Sequence, residues 1–115
     1  MGIAVNPASG KDIRRLVARA SVFDNQEKTA IVRRAAVGAV AAGAKRFCYV
    51  ADTHNIAQTA LREVVSEEDL IPVECPQSGS VLDTIAGARA LASLDCSVVM
   101  TLGGDGTNRA FTLGW

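Results

Sequence analysis

The stretch CSVVMTLGGDGTN, Cys96–Asn108, decides the architecture. A strand-length apolar run, CSVVMTL, passes directly into glycines at 103, 104 and 106, with Asp105 between the last two. Two local structures fit. Asp-Gly is the signature of a two-residue hairpin turn, and Ala110–Gly114 (AFTLG) would then return as an antiparallel strand. A glycine-rich turn between a buried strand and a helix fits equally well, and it would start an α/β layer fold. The doubled glycine before Asp105 and the polar Thr107-Asn108-Arg109 after it favour strand–loop–helix.

The rest of the chain reads the same way. Gly2–Val5 is a short apolar run stopped by the turn signal Asn6-Pro7. Ser9 with Asp12 resembles a capping box and predicts a helix start near Gly10, with Ile13, Leu16, Val17 and Ala20 on one face. Asp24 and Glu27 offer a second start, and Gly43 a stop after Ala42. RFCYVAD, Arg46–Asp52, is apolar without alternation, as in a strand covered on both faces. A helix follows over Asn55–Val65. LIPVEC, Leu70–Cys75, is a strand that Pro72 confines to an edge or a strand start. Ser80 and Asp83 cap a further helix carrying Ile85, Ala88 and Leu91. CSVVMTL reads as the most clearly buried strand. This alternation predicts a three-layer, Rossmann-like parallel sheet of about four strands with helices on both faces. In such sheets ligands bind beyond the carboxyl ends of strands, at a topological switch point.

Composition narrows the class. The 115 residues are 49% hydrophobic, yet only five are Phe, Tyr or Trp. A chain of this length makes one domain and buries roughly two-thirds of its unfolded surface. Twelve basic residues balance twelve acidic ones, so there is no general attraction to nucleic acid or to an anionic membrane. Cys48, Cys75 and Cys96 are odd in number and form no CxxC, which points to a reducing, cytoplasmic compartment. No apolar stretch is long enough to span a bilayer.

Three loops leave predicted strands at one edge of the sheet. In Gly103–Asn108, absent side chains expose backbone N–H groups, and the helix start adds partial positive charge; both suit phosphate. Asp105 is then unexpected, because it would repel a phosphate 4 Å away by about 1 kcal/mol in water and by several in a less polar site. It is useful there only to hold Mg²⁺ or to accept the proton of an attacking hydroxyl. In Asn6–Lys11, NPASGK, a plain capped turn accounts for the stretch, and alternatively the Ser9 hydroxyl, Gly10 N–H and Lys11 cation can meet a phosphate. A Walker A loop would need glycine at Val5 and Ser or Thr at Asp12. In the third loop, Asp52 could bond a ribose hydroxyl, although no G-x-G-x-x-G accompanies it. His54 reads as a surface or capping residue.

NPASGK after the first strand and GGDGT after the last resemble the superfamily of ATP-NAD kinases, diacylglycerol and sphingosine kinases and, more distantly, 6-phosphofructokinases. NPASGKDIRRLV with NQEK and IVRR is most similar to the ATP-NAD kinase group that includes the acetoin-catabolism X (AcoX) proteins. The resemblance implies an ATP- and Mg²⁺-dependent kinase acting on a hydroxyl, with NAD as the leading acceptor. It implies Asp105 as base, and Asn6, Ser9, Gly10, Lys11, Gly103, Gly104, Gly106, Thr107 and Asn108 as nucleotide contacts. A lipid or diacylglycerol-type kinase and a non-catalytic nucleotide-binding module of AcoX type are the alternatives. The expected partners are ATP and NAD, with no nucleic acid and no membrane, in a homo-oligomer. The resemblance also implies that residues 1–115 are an N-terminal α/β domain whose β-rich C-terminal companion lies outside this sequence, and that the domain alone is inactive.

Overall fold

A computed structural model describes residues 1–8 and 20–115. The described elements run β1 (Gly2–Val5), α1 (Ala20–Ala41), β2 (Phe47–Val50), α2 (Ile56–Arg62), a 3-10 turn (Glu67–Asp69), β3 (Leu70–Val73), α3 (Val81–Ser93), β4 (Val99–Leu102) and α4 (Asp105–Gly114). The four strands form one sheet in the order β3-β2-β1-β4, every pair parallel. Residues 110–114 are helical, so the motif is strand–loop–helix and the hairpin alternative is ruled out. The fold is the expected α/β class.

The non-alternating run in β2 follows from cover on both faces. Phe47 and Tyr49 join Ile3, Val32, Ala36, Ile56 and Leu61 in the core beneath α1 and α2. Cys48, between them, points the other way and packs with Ala88, Leu91 and Phe111 beneath α3 and α4. Each face takes every second residue of the strand, so both sets must be apolar. Large aromatic side chains are scarce, and the layers come close through small residues. A Cβ on Gly114 would collide with the backbone carbonyl of Ile85 and with the Ala88 methyl, so α4 rests directly on α3 at that point.

Three expectations change. First, no helix begins at Asp24 or Glu27, because α1 runs through both. Asp24 is buried and pairs with Lys28 one turn later at 3.0 Å, so its carboxylate serves an ion pair and not a cap. Second, β4 is an edge strand with half-buried residues, and Val98 before it is 57% exposed. An apolar run reports hydrophobicity but not the number of neighbours, which topology decides. Third, the helix start near Gly10, with Ser9, Asp12, Ile13, Leu16 and Val17, lies outside the described residues. Pro72 does occupy an edge strand, β3, as its missing N–H requires. Gly43 ends α1 with φ +105, a left-handed conformation that favours glycine.

Candidate functional site

The strand order places the switch point between β1 and β4. The chain moves from β1 outward to β3, then returns to the other side of β1. The loops leaving β1 and β4 therefore meet at the carboxyl edge, where a crevice opens.

Asn6 ties them together. Its backbone N–H donates to the Leu102 carbonyl at 2.9 Å, extending the β1–β4 ladder. Its Oδ1 accepts the Ala8 N–H at 3.0 Å, closing an Asx turn. That bond fixes the amide orientation, so Nδ2 is the atom that donates to Thr107 Oγ1 at 2.8 Å. Behind the loop, the buried Lys28 ammonium donates to the carbonyls of Asn6 at 3.2 Å and Pro7 at 3.1 Å.

The three glycines differ. A Cβ on Gly103 would stand 2.6 Å from the Cβ, Cγ2 and Oγ1 of Thr107, so this glycine exists to let α4 fold back on its own loop. At Gly104 and Gly106 an added Cβ would meet nothing within 4 Å, and both residues border the crevice. Gly104 is the N-cap of α4 and supplies no side-chain bond to the first helical N–H groups. Asp105 is the exposed first residue of the helix. Among the described residues its carboxylate forms no hydrogen bond or ion pair. Asn108 turns away, accepting the Thr101 hydroxyl at 2.7 Å, and braces α4 against β4.

The crevice has a volume of about 630 Å³ and runs from Asn6, Gly104 and Thr107 across Val50–His54 to Ser80 and Asp83. That is the size of a small-molecule site. Among the described residues three helix N-termini lie at its edge, and two are already neutralised. Asp52, expected as a ribose contact, instead accepts the N–H groups of His54 and Ile56 on one oxygen, at 3.1 and 3.0 Å, and of Ala57 on the other, at 3.2 Å. It caps α2 because Asn55, at the N-cap position with φ 53, forms no side-chain cap. At α3, Ser80 accepts the Leu82 N–H. Asp83 accepts the Ser78 hydroxyl and the N–H groups of Ser78 and Gly79. Those bonds, the Ser78 hydroxyl first, hold its carboxyl below the ordinary value. Of these three, α4 presents first-turn N–H groups without a side-chain cap, so among them the field for an anion lies at the Gly104–Thr107 end. His54 is exposed, with Nδ1 3.0 Å from the Thr53 hydroxyl, the surface role its sequence context suggests. Burial raises the Cys75 thiol above its ordinary pKa, so it is a poor nucleophile in the crevice wall.

Of the sequence candidates, Asn6, Gly104, Gly106 and Thr107 converge on the crevice, with Asp105 beside them. Gly103 lies beneath and Asn108 faces β4. Ser9, Gly10 and Lys11 fall outside the described residues. Lys28 closes NQEK, which carries part of the family resemblance, but its loop role is not legible there, since its loop partners lie more than twenty positions earlier. Among the described residues there is no group of three or more His, Cys, Asp and Glu side chains able to hold a metal, and no helix long and apolar enough to cross a membrane.

This arrangement defines a class: a Rossmann-like α/β domain with an anion-compatible crevice at its switch point. More particularly, the chain is similar to acetoin catabolism protein X of Cupriavidus necator, with 29% identity over 117 residues covering 96% of this chain. It spans about a third of that relative, 33% of its length. No protein-family model and no solved structure matches.

Proposed function

We propose that residues 1–115 form the nucleotide-phosphate-binding domain of an ATP-dependent kinase that phosphorylates a hydroxyl, with the adenosine 2′-hydroxyl of NAD as the first acceptor to test. The observation that carries this reading is the Asn6–Thr107 hydrogen bond at the switch point. It joins the two motif loops into one wall of a crevice whose uncapped α4 terminus and open Gly104 and Gly106 form a cradle for phosphate. In this proposal Gly104, Asp105, Gly106 and Thr107 offer backbone N–H groups to the phosphates. Asn6 holds Thr107, whose hydroxyl oxygen accepts from Asn6 and keeps its own proton to donate. Ser9, Gly10 and Lys11 complete the phosphate contacts from the β1 side. Gly103 and Asn108 act indirectly, by seating α4.

Mg²⁺ fits the donor set in one way only. A single carboxylate, Asp105, together with nucleotide phosphates, is the ligand set this ion commonly takes, whereas an all-protein cage is absent from the described residues. Bound there, the ion would neutralise phosphate charge. Asp105 would receive the proton of the acceptor hydroxyl; it is exposed and free to turn toward an incoming group. The acceptor site and a β-rich partner domain belong to the proposal as well, beyond these residues.

The test is phosphoryl transfer in the full-length protein with Mg-ATP and NAD, followed by NADP formation. Asp105→Asn should still bind ATP through the loop N–H groups and lose at least a hundredfold in rate. A wild-type rate in that variant removes Asp105 from the base role. One observation favours a second reading, a binding module without transfer: no described residue orients the Asp105 carboxylate. Mg-ATP binding without transfer to NAD or to a diacylglycerol would select it.

A further inference from the structure

Lys28 lies outside the crevice and outside the NPASGK and GGDGT loops, yet it is one of the few buried charges among the described residues. Its side chain is 8% exposed and that of its partner Asp24 10%. Taking two charges out of water is costly, and replacing such a pair with apolar residues is often neutral or stabilising. Stability alone is therefore a weak reason for it. Its hydrogen bonds point to a more specific use.

The ammonium donates to the carbonyl of Pro7. That carbonyl belongs to the peptide unit whose N–H, on Ala8, donates to Asn6 Oδ1. The same Asn6 side chain donates through Nδ2 to Thr107 Oγ1 in the first turn of α4. A second bond from Lys28 to the Asn6 carbonyl clamps the start of the loop. The groups form a continuous series: Asp24 carboxylate, Lys28 ammonium, Pro7–Ala8 peptide, Asn6 carboxamide, Thr107 hydroxyl. A cation on a peptide oxygen makes that peptide's N–H a stronger donor, and hydrogen bonds in series polarise one another. Asn6 cannot rotate without breaking a bond at each end.

We propose that Lys28 is a positioning residue: from behind the β1 loop it fixes the Asn6 carboxamide, and through it Thr107, in the geometry that receives the triphosphate of a nucleoside triphosphate. The inference rests on the nucleotide-binding reading above, and its test separates the two. Lys28→Met removes the ammonium and with it an ion-pair partner of the buried Asp24 carboxylate, so loss of folding there would be uninformative. The decisive variant is Asp24→Leu/Lys28→Met in the full-length protein, which removes both charges. If it does not fold, Asp24→Asn/Lys28→Gln, closer in shape, takes its place.

Two quantities are read, Mg-ATP affinity by calorimetry and hydrogen exchange of the Ala8 amide. The expected result is a melting temperature within a few degrees of wild type, an Ala8 amide exchanging at least tenfold faster, and a Kd for Mg-ATP raised at least tenfold. A merely structural role would restore all three together. The proposal is overturned if the refolded variant keeps wild-type Ala8 exchange or binds Mg-ATP as wild type does. If wild type binds no Mg-ATP, the nucleotide reading fails, and the Ala8 amide alone decides whether Lys28 orders the loop.

Discussion

Gly103 and Gly106 belong to one motif, and the structure predicts opposite consequences for the same substitution. In Gly103→Ala the new methyl would stand 2.6 Å from Thr107 Cβ as well as from Cγ2 and Oγ1. Cβ is fixed to the helix backbone, so rotating Thr107 does not relieve the clash and α4 must shift. Overpacking of this kind costs ~1–3 kcal/mol. The shift also breaks the Asn6–Thr107 hydrogen bond, worth about 1 kcal/mol. The sum, about 2–4 kcal/mol, lowers the melting temperature of a domain this size by roughly 10–20 °C. In Gly106→Ala the methyl meets nothing within 4 Å. The position is helical, so alanine stabilises by up to ~1 kcal/mol through the entropy of the unfolded chain. The same methyl would occupy space that the proposed site gives to phosphate, and Mg-ATP affinity should fall at least tenfold, about 1.4 kcal/mol. Urea unfolding followed by circular dichroism gives the stabilities, and calorimetry gives the affinities. Equal stability of the two variants would refute the packing assignment of Gly103. Undiminished affinity in Gly106→Ala would refute the phosphate cradle.

Other predictions follow from single contacts. Asp52→Ala leaves the N–H groups of Ile56 and Ala57 buried without their acceptor, so it should cost about 2–3 kcal/mol in urea unfolding; a loss under 0.5 kcal/mol would show that Asp52 is not the α2 cap. Gly114→Ala drives a methyl into the Ile85 carbonyl and should destabilise by ~1–3 kcal/mol, with faster amide exchange in α3 and α4. Asp83 has a lowered native pKa against an ordinary value of 3.8. Its contribution is therefore complete above that value and is lost as pH falls through the lower native one. The Ser78 and Gly79 amide resonances should titrate in that acid window, and Asp83→Asn should abolish the step.

What could be read from the sequence depended on how local the physics was. The β2 run, Pro72 at the β3 edge and the Ser80–Asp83 cap all rest on neighbours within a few positions, and each appears as expected. The strand–loop–helix reading of Gly103–Asn108 also holds, because glycine, a polar turn and a helix start are adjacent in the chain. Long-range facts were not legible. Nothing in CSVVMTL says that β4 has one neighbour where β2 has two. Asp24 looks like a helix start because an acid before a helical segment usually is one; Lys28, a turn later, claims it instead. Asp52 looked available for a ligand, but its oxygens go to α2 because Asn55 supplies no side-chain cap. The glycines of the motif looked equivalent, and only packing against Thr107 separates Gly103 from the two that border the crevice.

The β1–β4 adjacency also bears on how the crevice is assembled. Asn6 and Thr107 lie 101 positions apart, and β1, which sits between β2 and β4 in the sheet, precedes both in the chain. Joining chain segments that far apart costs about 4 kcal/mol of closure entropy beyond a constant, and the cost falls due before any contact at the crevice offsets it. No autonomous hairpin or helix pair contains the crevice, so a nascent or partly unfolded chain presents no rudimentary version of it. The crevice should appear in a single kinetic step with the completed sheet, so any ligand that fits it would report finished topology. Local fraying of β4 at the sheet edge would conversely open the crevice while most of the core stays intact.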